Sequence, residues 1–114
     1  MIGIDIEEVA RFRKLNRLED RRFFERIFTK REMDYCFLKK DPAPHLAGRF
    51  CAKEAIIKAL ASMGIHTIAR NAIEIINTAK GVPKVVVLKR GKKLKIQISI
   101  SHARDYALAC AVVV

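Results

Sequence analysis

The sequence has no tryptophan, only 7% aromatic residues, and three cysteines, at Cys36, Cys51 and Cys110. Because the cysteines are odd in number and no two have CxxC spacing, they argue against a disulfide scaffold and against a cysteine-rich zinc site. We expect them to be buried free thiols of a protein that works in a reducing compartment.

Long apolar stretches are also absent. No run reaches the about 18 residues that a membrane-spanning helix needs. The N-terminus carries Asp5 and lacks the basic segment and long apolar run of a signal peptide. These absences predict a cytoplasmic protein with no membrane segment. The GxxxxGK[ST] and GxGxxG phosphate loops are missing as well, so the common nucleotide-binding folds are not indicated.

Length and charge set the outline of what is present. The 114 residues suffice for one domain, predicted at 1–114. The chain carries 23 Lys and Arg against 12 Asp and Glu, a net charge of +11. Such an excess favours a polyanionic partner. The net charge alone does not tell whether that partner is nucleic acid, an anionic membrane, an acidic protein or a phosphorylated ligand.

Periodicity predicts an α+β fold in which helices come early and strands late. Ile2, Ile4 and Ile6 alternate with Asp5 and Glu7, which is typical of a strand with one apolar face. Further along, Thr29 and Glu32 predict a capping box. The Asp-Pro-Ala-Pro segment at 41–44 predicts a break, and Gly64 predicts the end of a helix. The longest helix is predicted at about 45–62. Strands are predicted at 73–77, 83–88, 94–101 and 106–114.

Two carboxylates are candidate metal ligands. Asp5 interrupts an apolar strand, and Glu54 lies in a mostly apolar helix, where an unpaired carboxylate is costly. Together they could supply two oxygens to Mg²⁺. The alternatives are that Asp5 lies on the wet face of an edge strand and that Glu54 and Lys58, four residues apart, form an ordinary exposed ion pair. Arg49 and Lys53 are spaced in the same way.

Ser101 and His102 end a predicted strand, but no third group is in view to orient the histidine, so a catalytic triad is not favoured. Two basic clusters, at residues 11–31 and 89–95, are compatible with solvated surface or with nucleic-acid binding. The sequence contains no RNA-binding signature with interleaved aromatics.

Several motifs in their order along the chain resemble one family. Gly3-Ile4-Asp5-Ile6 matches its opening G-[IV]-D-[IVL], and Phe28 to Glu32 matches F-T-x-x-E. Residues 46–59 match L-A-x-R-[FW]-x-A-K-E-A-x-x-K-A, and 99–102 match S-[IVL]-[ST]-H. The chain thus resembles the holo-(acyl-carrier-protein) synthases, the small bacterial 4′-phosphopantetheinyl transferases. The intact K-E-A-x-x-K makes the ordered set specific.

The resemblance implies a fold in which the long helix packs on a small, mostly antiparallel sheet. It implies a reaction of fatty acid biosynthesis, in which phosphopantetheine moves from coenzyme A to a serine of apo acyl carrier protein and adenosine 3′,5′-bisphosphate is released. It assigns Mg²⁺ to Asp5 and Glu54 and catalysis to Glu54 and Lys58. Coenzyme A is assigned to Lys53, Lys58, Gly64, Ser101 and His102.

The resemblance also implies partners. An acidic acyl carrier protein would dock on basic residues after the first strand, and the active sites would form between subunits of a homotrimer. The docking residues are expected to be Arg11, Arg13, Arg17 and Arg49. The segment Ala61 to Gly64 departs from the family's G-T-G-type loop and is one residue longer.

Some alternatives stay open at this point. The base that deprotonates the carrier serine is either Glu54 or a metal-bound water near Asp5. A nucleic-acid-binding module explains the charge but leaves Asp5, Glu54 and His102 without a role, so we expect no nucleic-acid partner. A relative that keeps the assembly but has lost activity would bind coenzyme A without transferring its arm.

Overall fold

A computed structural model of the chain describes residues 1–87 and 94–114. Most of the basic cluster at 89–95 lies outside the described residues. Within the described residues, the order of elements is strand, four helices and four strands, with one 3₁₀ turn at Arg70–Ala72 before the second strand. The elements are β1 (Ile2–Glu8), α1 (Val9–Arg13), α2 (Arg21–Ile27), α3 (Lys30–Phe37), α4 (Pro42–Ala61), β2 (Ile73–Asn77), β3 (Pro83–Val87), β4 (Ile96–His102) and β5 (Tyr106–Val113).

The long helix α4 begins earlier than predicted. Pro42 stands at its first position, where a proline's missing N–H costs nothing and its fixed φ suits a helix. The prolines at 42 and 44 therefore start the helix, where the sequence predicted a break ahead of it. At the other end Gly64 adopts φ of 80°, a left-handed conformation that glycine reaches without strain. The Ile65 N–H then donates to the Leu60 carbonyl at 3.0 Å and closes the helix.

The capping box predicted for α3 is confirmed. The Glu32 N–H donates to the Thr29 hydroxyl at 3.3 Å, and the Thr29 N–H donates back to the Glu32 carboxylate at 2.9 Å. Glu32 is itself buried, so its charge needs a partner inside the protein.

The strands form two small antiparallel sheets. β5 lies between β1 and β4 in one sheet, and β2 pairs with β3 in the other. In the three-stranded sheet Asp5 lies beside Ala109, which lies beside Ile100 on its other side. The predicted α+β class, with a long helix on a small antiparallel sheet, is confirmed.

Small residues allow α4 to lie very close to the sheet. A Cβ atom on Gly3 would stand 1.9 Å from the backbone oxygen of Ala55, so only glycine fits at this crossing. Alanines cover the rest of the contact on both sides. They are Ala52, Ala55 and Ala59 of α4 and Ala107, Ala109 and Ala111 of β5, all buried.

The faces of β1 are the reverse of what its apolar alternation suggests. Ile4 is 59% exposed, and Ile2 and Ile6 are similarly open, whereas the side chains of Asp5 and Glu7 are only 12% and 18% exposed. The prediction that Asp5 could lie on a wet strand face is therefore wrong: its face is the one that α4 covers.

The exposed isoleucines belong to a larger apolar surface, which we call the open sheet face. Cross-strand pairing places residues of β5 beside those of β1 on the same side of the sheet. The members of the open sheet face are Ile2, Ile4, Ile6, Tyr106, Leu108 and Val112, all exposed in the single chain. Within residues 1–87 and 94–114, no helix is long and apolar enough to cross a membrane.

Candidate active site at the first strand and the long helix

β1 and α4 bring Asp5 and Lys58 into contact. The Lys58 ammonium donates to Asp5 Oδ1 at 3.0 Å and to the backbone carbonyl of Ile4 at 3.0 Å. Lys58 is 55% exposed, so its charge faces solvent beside a largely covered carboxylate. The structure therefore joins two of the predicted site residues across 53 positions of sequence.

Glu54 lies one helical turn before Lys58 on α4. Its carboxylate accepts a hydrogen bond from Nε of Arg70, a residue of the 3₁₀ turn. Nothing in the sequence indicates this contact, because Arg70 stands in a loop without periodicity and 16 residues from its partner. Glu54 is 18% exposed, and Arg70 is 45% exposed.

Glu7 is a third carboxylate at this place and was not predicted as a site residue. Burial raises its pKa to about 7, and the hydrogen bond to Asp5 and the charges of Asp5 and Glu54 act in the same direction, while Arg11 opposes them. Arg11 lies 3.5 Å from the Glu7 carboxylate. The spacing of Asp5 and Glu7, two apart in a strand, was the available signal, since such residues share a face. We call Asp5, Glu7 and Glu54 the carboxylate cluster.

The cluster's donor set suits Mg²⁺. Asp5 Oδ2 is buried and has no hydrogen-bond partner among the described residues when Glu7 is ionised, while Oδ1 is engaged by Lys58. A buried carboxylate oxygen without a donor is a ready ligand for a hard cation. Within the described part of the chain, no set of three or more side chains forms a complete metal cage. Mg²⁺ ordinarily uses one or two carboxylates and completes its shell with water and substrate phosphates.

Cys51 adjoins the cluster but has no nucleophilic character. Burial raises the pKa of its thiol to about 12, and the nearby charge of Asp5 adds to this. The thiol donates to the Asp5 backbone carbonyl at 2.9 Å. Since a thiol needs to ionise before it attacks or binds metal, Cys51 serves to position β1 against α4.

Lys53 does not reach this site, so its predicted role in binding coenzyme A is not supported by its position. Its side chain is 0% exposed, and its ammonium donates to the Glu32 carboxylate at 2.6 Å and to the Ile27 carbonyl at 2.6 Å. A third bond runs to the Arg70 carbonyl at 3.1 Å. Burial lowers the pKa of Lys53, and the Glu32 charge opposes this. All three ammonium protons are used inside the protein, which makes Lys53 structural.

A separate pocket of about 240 Å³ lies between α4, β3 and β4. We call it the histidine pocket because His45 and His102 line it, with ring centroids 6.4 Å apart. Burial lowers the pKa of His45, and the charges of Lys39 and Arg49 add to this. Its two histidines and Arg49 are groups that bind anions.

Arg49 lies in the histidine pocket and is 5% exposed, with its guanidinium 4.2 Å from the Tyr35 ring centroid. Its terminal nitrogen reaches Asn77 Oδ1 at 3.5 Å, and its Nε is buried without a partner among the described residues. A buried guanidinium cannot meet an incoming acidic surface. The predicted place of Arg49 in the docking group is therefore replaced by a place in this pocket.

Two further predicted residues lie apart from the carboxylate cluster. Ser101 is exposed on β4 and shares a side of the sheet with Leu108, its neighbour across the strands. It therefore faces away from His102, which lines the histidine pocket. Gly64 ends α4, and no atom lies within 4 Å of where its side chain would begin.

The other docking residues are half-exposed on α1 and the loop that follows it. Arg13 pairs with Asp41 at 2.7 Å and Arg17 with Asp34 at 2.8 Å. Arg11, besides contacting Glu7, has its guanidinium 5.2 Å from the centre of the Phe50 ring. Arg11 thus links this basic surface to the carboxylate cluster.

Comparisons with known proteins agree with this arrangement. A sequence profile described as the 4′-phosphopantetheinyl transferase superfamily matches residues 1–111. The holo-[acyl-carrier-protein] synthase of Chlorobaculum parvum is 42% identical over 98% of this chain and 96% of its own. That of Protochlamydia amoebophila is 44% identical over 97% and 94%. The crystal structure of Helicobacter pylori holo-[acyl-carrier-protein] synthase in complex with coenzyme A superposes with a TM-score of 0.81, covers 100% of both chains and is 31% identical.

The profile match and the fold define a transferase of a substituted phosphate group. The chain belongs to the 4′-phosphopantetheinyl transferase superfamily and, within it, to the holo-(acyl-carrier-protein) synthases.

Proposed function

We propose that this protein transfers 4′-phosphopantetheine from coenzyme A to a serine of apo acyl carrier protein, with Mg²⁺ held by Asp5 and Glu54, in fatty acid biosynthesis. The observation that carries the proposal is the meeting of β1 and α4. It brings Asp5 into contact with Lys58, one helical turn from Glu54, and it buries a carboxylate oxygen of Asp5 that lacks a hydrogen-bond partner among the described residues when Glu7 is ionised.

In this reaction the serine oxygen attacks the phosphorus next to pantetheine, its proton passes to a base, and the bond to adenosine 3′,5′-bisphosphate breaks. The metal supplies positive charge for the phosphate oxygens when bound. Lys58 is the chain's own contribution to that charge, because its ammonium is half-exposed and held by Asp5 and a backbone carbonyl. Preorganised cations of this kind stabilise the charge that develops during transfer.

The base remains a choice between Glu54 and a metal-bound water near Asp5. Glu54 is the only one of the two that belongs to the chain, and its carboxylate accepts a hydrogen bond from Arg70. A base needs to come within hydrogen-bonding distance of the serine hydroxyl, and the hydroxyl would approach the part of the Glu54 side chain that remains exposed, 18% of its surface.

We assign a second group of coenzyme A contacts to the histidine pocket. His102 and Arg49 line one opening together with His45, whose lowered pKa leaves its ring uncharged at neutral pH and able to donate a hydrogen bond. This lining suits a phosphate of the nucleotide end. Gly64 and Ser101 keep their proposed roles in coenzyme A binding. Both lie at exposed positions of the single chain.

Docking of the acidic carrier protein is proposed on Arg11, Arg13 and Arg17. Their side chains are half-exposed and their ion pairs are superficial, so an acidic partner can compete for them. Such charge complementarity mainly accelerates encounter and fixes orientation. The contact of Arg11 with Glu7 sets this surface beside the carboxylate cluster.

We further propose a homotrimer with active sites between subunits, in which residues 1–114 act as one domain. The open sheet face is a contiguous apolar surface on a small chain, and burying it against other copies would enlarge a limited core. In one chain, the carboxylate cluster and the histidine pocket share no lining residue. The carboxylate cluster lies at β1 and the histidine pocket at β4. These two strands are two strand spacings, about 10 Å, apart. We propose that a long ligand binds the carboxylate cluster of one subunit and the histidine pocket of another.

Light scattering after size exclusion tests the assembly. Ile4→Glu places a charge in the open sheet face and should convert trimer to monomer. Leu38→Glu changes another exposed apolar side chain, which lies outside that face, and should leave the trimer intact. A wild-type monomer at micromolar concentration would contradict the trimer.

Intact mass spectrometry tests the activity. Apo acyl carrier protein, coenzyme A, Mg²⁺ and the protein are mixed, with EDTA in a parallel sample, and the carrier should gain one phosphopantetheine only where metal is free. Asp5→Asn should abolish the gain. Glu74→Gln is the matched control. The Glu74 carboxylate is 12% exposed, as Asp5 is, and it pairs with a cation, Arg31, but it lies outside the site. A carrier that stays unmodified with the wild type, or binding of nucleic acid in place of coenzyme A, would overturn the proposal.

A further inference from the structure

Arg70 contacts the carboxylate cluster through Glu54, and the proposed reaction does not use its guanidinium. Its Nε donates to Glu54, and its guanidinium carbon lies 5.8 Å from the centre of the Phe50 ring. Among the described residues, its hydrogen bond to Glu54 is the only one its guanidinium makes. The terminal nitrogens are therefore available to an additional anion.

The backbone of Arg70 is fixed from two sides. The buried Lys53 ammonium donates to the Arg70 carbonyl at 3.1 Å. The neighbouring Asn71 side chain donates to the Glu25 carbonyl of α2 at 3.1 Å. The side chain, in contrast, is 45% exposed, so the guanidinium can turn while its attachment point stays in place.

Each carboxylate of the cluster is paired with its own cation. Lys58 pairs with Asp5, Arg11 with Glu7 and Arg70 with Glu54. A divalent cation at Asp5 and Glu54 would stand next to these positive charges, and like charges at such distances repel. The anionic phosphates of coenzyme A would be attracted by the same charges.

We propose that Arg70 competes with the divalent cation for the Glu54 carboxylate and supplies positive charge to the phosphates of coenzyme A once Glu54 binds metal. This inference rests on the proposed function. It makes Arg70 a residue that opposes the metal alone but favours the substrate. An arginine that merely oriented Glu54 would favour both, because losing the partner of a metal ligand costs about 10- to 100-fold in metal affinity.

Two titrations on Arg70→Gln separate these roles. The first follows binding of Mn²⁺ alone by isothermal calorimetry, and the dissociation constant should fall about threefold, the scale of a half-exposed ion pair. The second measures the KM for coenzyme A at saturating Mg²⁺ and carrier, which should rise about tenfold, the scale of one charge-assisted hydrogen bond. Arg70→Lys keeps the charge and should recover most of both effects.

Arg31→Gln is the control. Arg31 forms a comparable ion pair, 3.5 Å from the Glu74 carboxylate, and this pair lies outside the carboxylate cluster. This variant should leave the Mn²⁺ affinity and the KM for coenzyme A unchanged. Weaker or unchanged Mn²⁺ binding by Arg70→Gln overturns the inference while the proposed function stands. A wild type that binds neither Mn²⁺ nor coenzyme A would overturn both.

Discussion

Two lysines of α4, five residues apart, have opposite surroundings. Lys53 is 0% exposed and forms an ion pair with Glu32, which is equally buried. Lys58 is 55% exposed and pairs with Asp5 at 3.0 Å. Both belong to the same K-E-A-x-x-K motif, and both are cations beside a carboxylate.

The difference lies in which partners remain available. The Lys53 ammonium donates hydrogen bonds to Glu32 and to two backbone carbonyls, and these bonds hold α2 and the 3₁₀ turn against α4. Lys58 is fixed on one side only and leaves its other side to solvent. A buried pair fixes the fold around the site, and an open pair is able to exchange its partner for a substrate.

The largest effect is expected from Lys53→Ala, which would leave the Glu32 charge buried and unpaired. Its free energy of unfolding should fall by about 3–5 kcal/mol, measured by urea denaturation. The double variant Lys53→Met with Glu32→Met should regain only part of this loss, because it leaves no unpaired charge but removes the acceptor of the Thr29 and Ile75 N–H groups. A loss below about 1 kcal/mol for Lys53→Ala would erase the contrast between the two lysines.

Lys58→Ala is the matched change at the open end of the motif. Its kcat/KM should fall at least about a hundredfold, as expected when a preorganised charge is removed from the transferred phosphate. Its free energy of unfolding should change by no more than about 1 kcal/mol, because the pair is partly exposed. Comparable losses of stability in Lys53→Ala and Lys58→Ala would show that the two ion pairs contribute equally to the free energy of unfolding, and would contradict this difference.

Gly3→Ala tests how the close contact of β1 and α4 supports the site. The new methyl group would collide with the Ala55 backbone oxygen, and overpacking of this kind costs about 1–3 kcal/mol. Because Asp5 is two residues away on β1, the Mg²⁺ dependence of kcat should shift to higher concentration as well. Gly81→Ala is the control, since its added methyl group meets no atom within 4 Å and only its φ of 79° is unfavourable. A shift of equal size in Gly81→Ala would argue against the close contact as the cause.

The smallest effect concerns Glu7 and pH. Its pKa is about 7 in the folded protein against 4.5 for an ordinary glutamate. The folded state therefore binds more protons between these values, and stability that is present below about pH 4.5 is lost as pH rises through 7. In EDTA, Glu7→Gln should flatten this slope and raise the free energy of unfolding at pH 8 by about 1 kcal/mol, since solvent screens a partly exposed carboxyl. Parallel pH profiles of wild type and variant would refute the shifted pKa.

Much of the fold is predictable from local pattern. The strand at Ile73–Asn77 has the predicted bounds, the capping box at Thr29 forms, and the last two strands begin and end within two residues of the prediction. The strand predicted at 83–88 begins at Pro83 as expected, and its predicted end lies outside the described residues. These features depend on neighbours along the chain, which a sequence displays directly.

The early start of α4 at Pro42 is a local error, but the errors at the site come from contacts between distant segments. Alternation in β1 indicates that Asp5 and Glu7 share a face, but only the approach of α4 at Gly3 decides which face is covered. The K-E-A-x-x-K spacing gives no means to tell which lysine is buried, since Glu32 and Asp5 lie on other elements. Arg49 was assigned to the wrong site and Arg70 was missed, because the partners of both residues lie on other elements of the fold.

If β1 and the C-terminal half of α4 form the metal and phosphate site, Mn²⁺ and coenzyme A should bind there together. A crystal structure with Mn²⁺ and coenzyme A, analysed by anomalous scattering, tests it most directly. We expect an anomalous peak bounded by Asp5 and Glu54, with the Lys58 ammonium on a phosphate oxygen. A peak at other residues, or Lys58 unmoved from Asp5 with phosphate bound elsewhere, would contradict it.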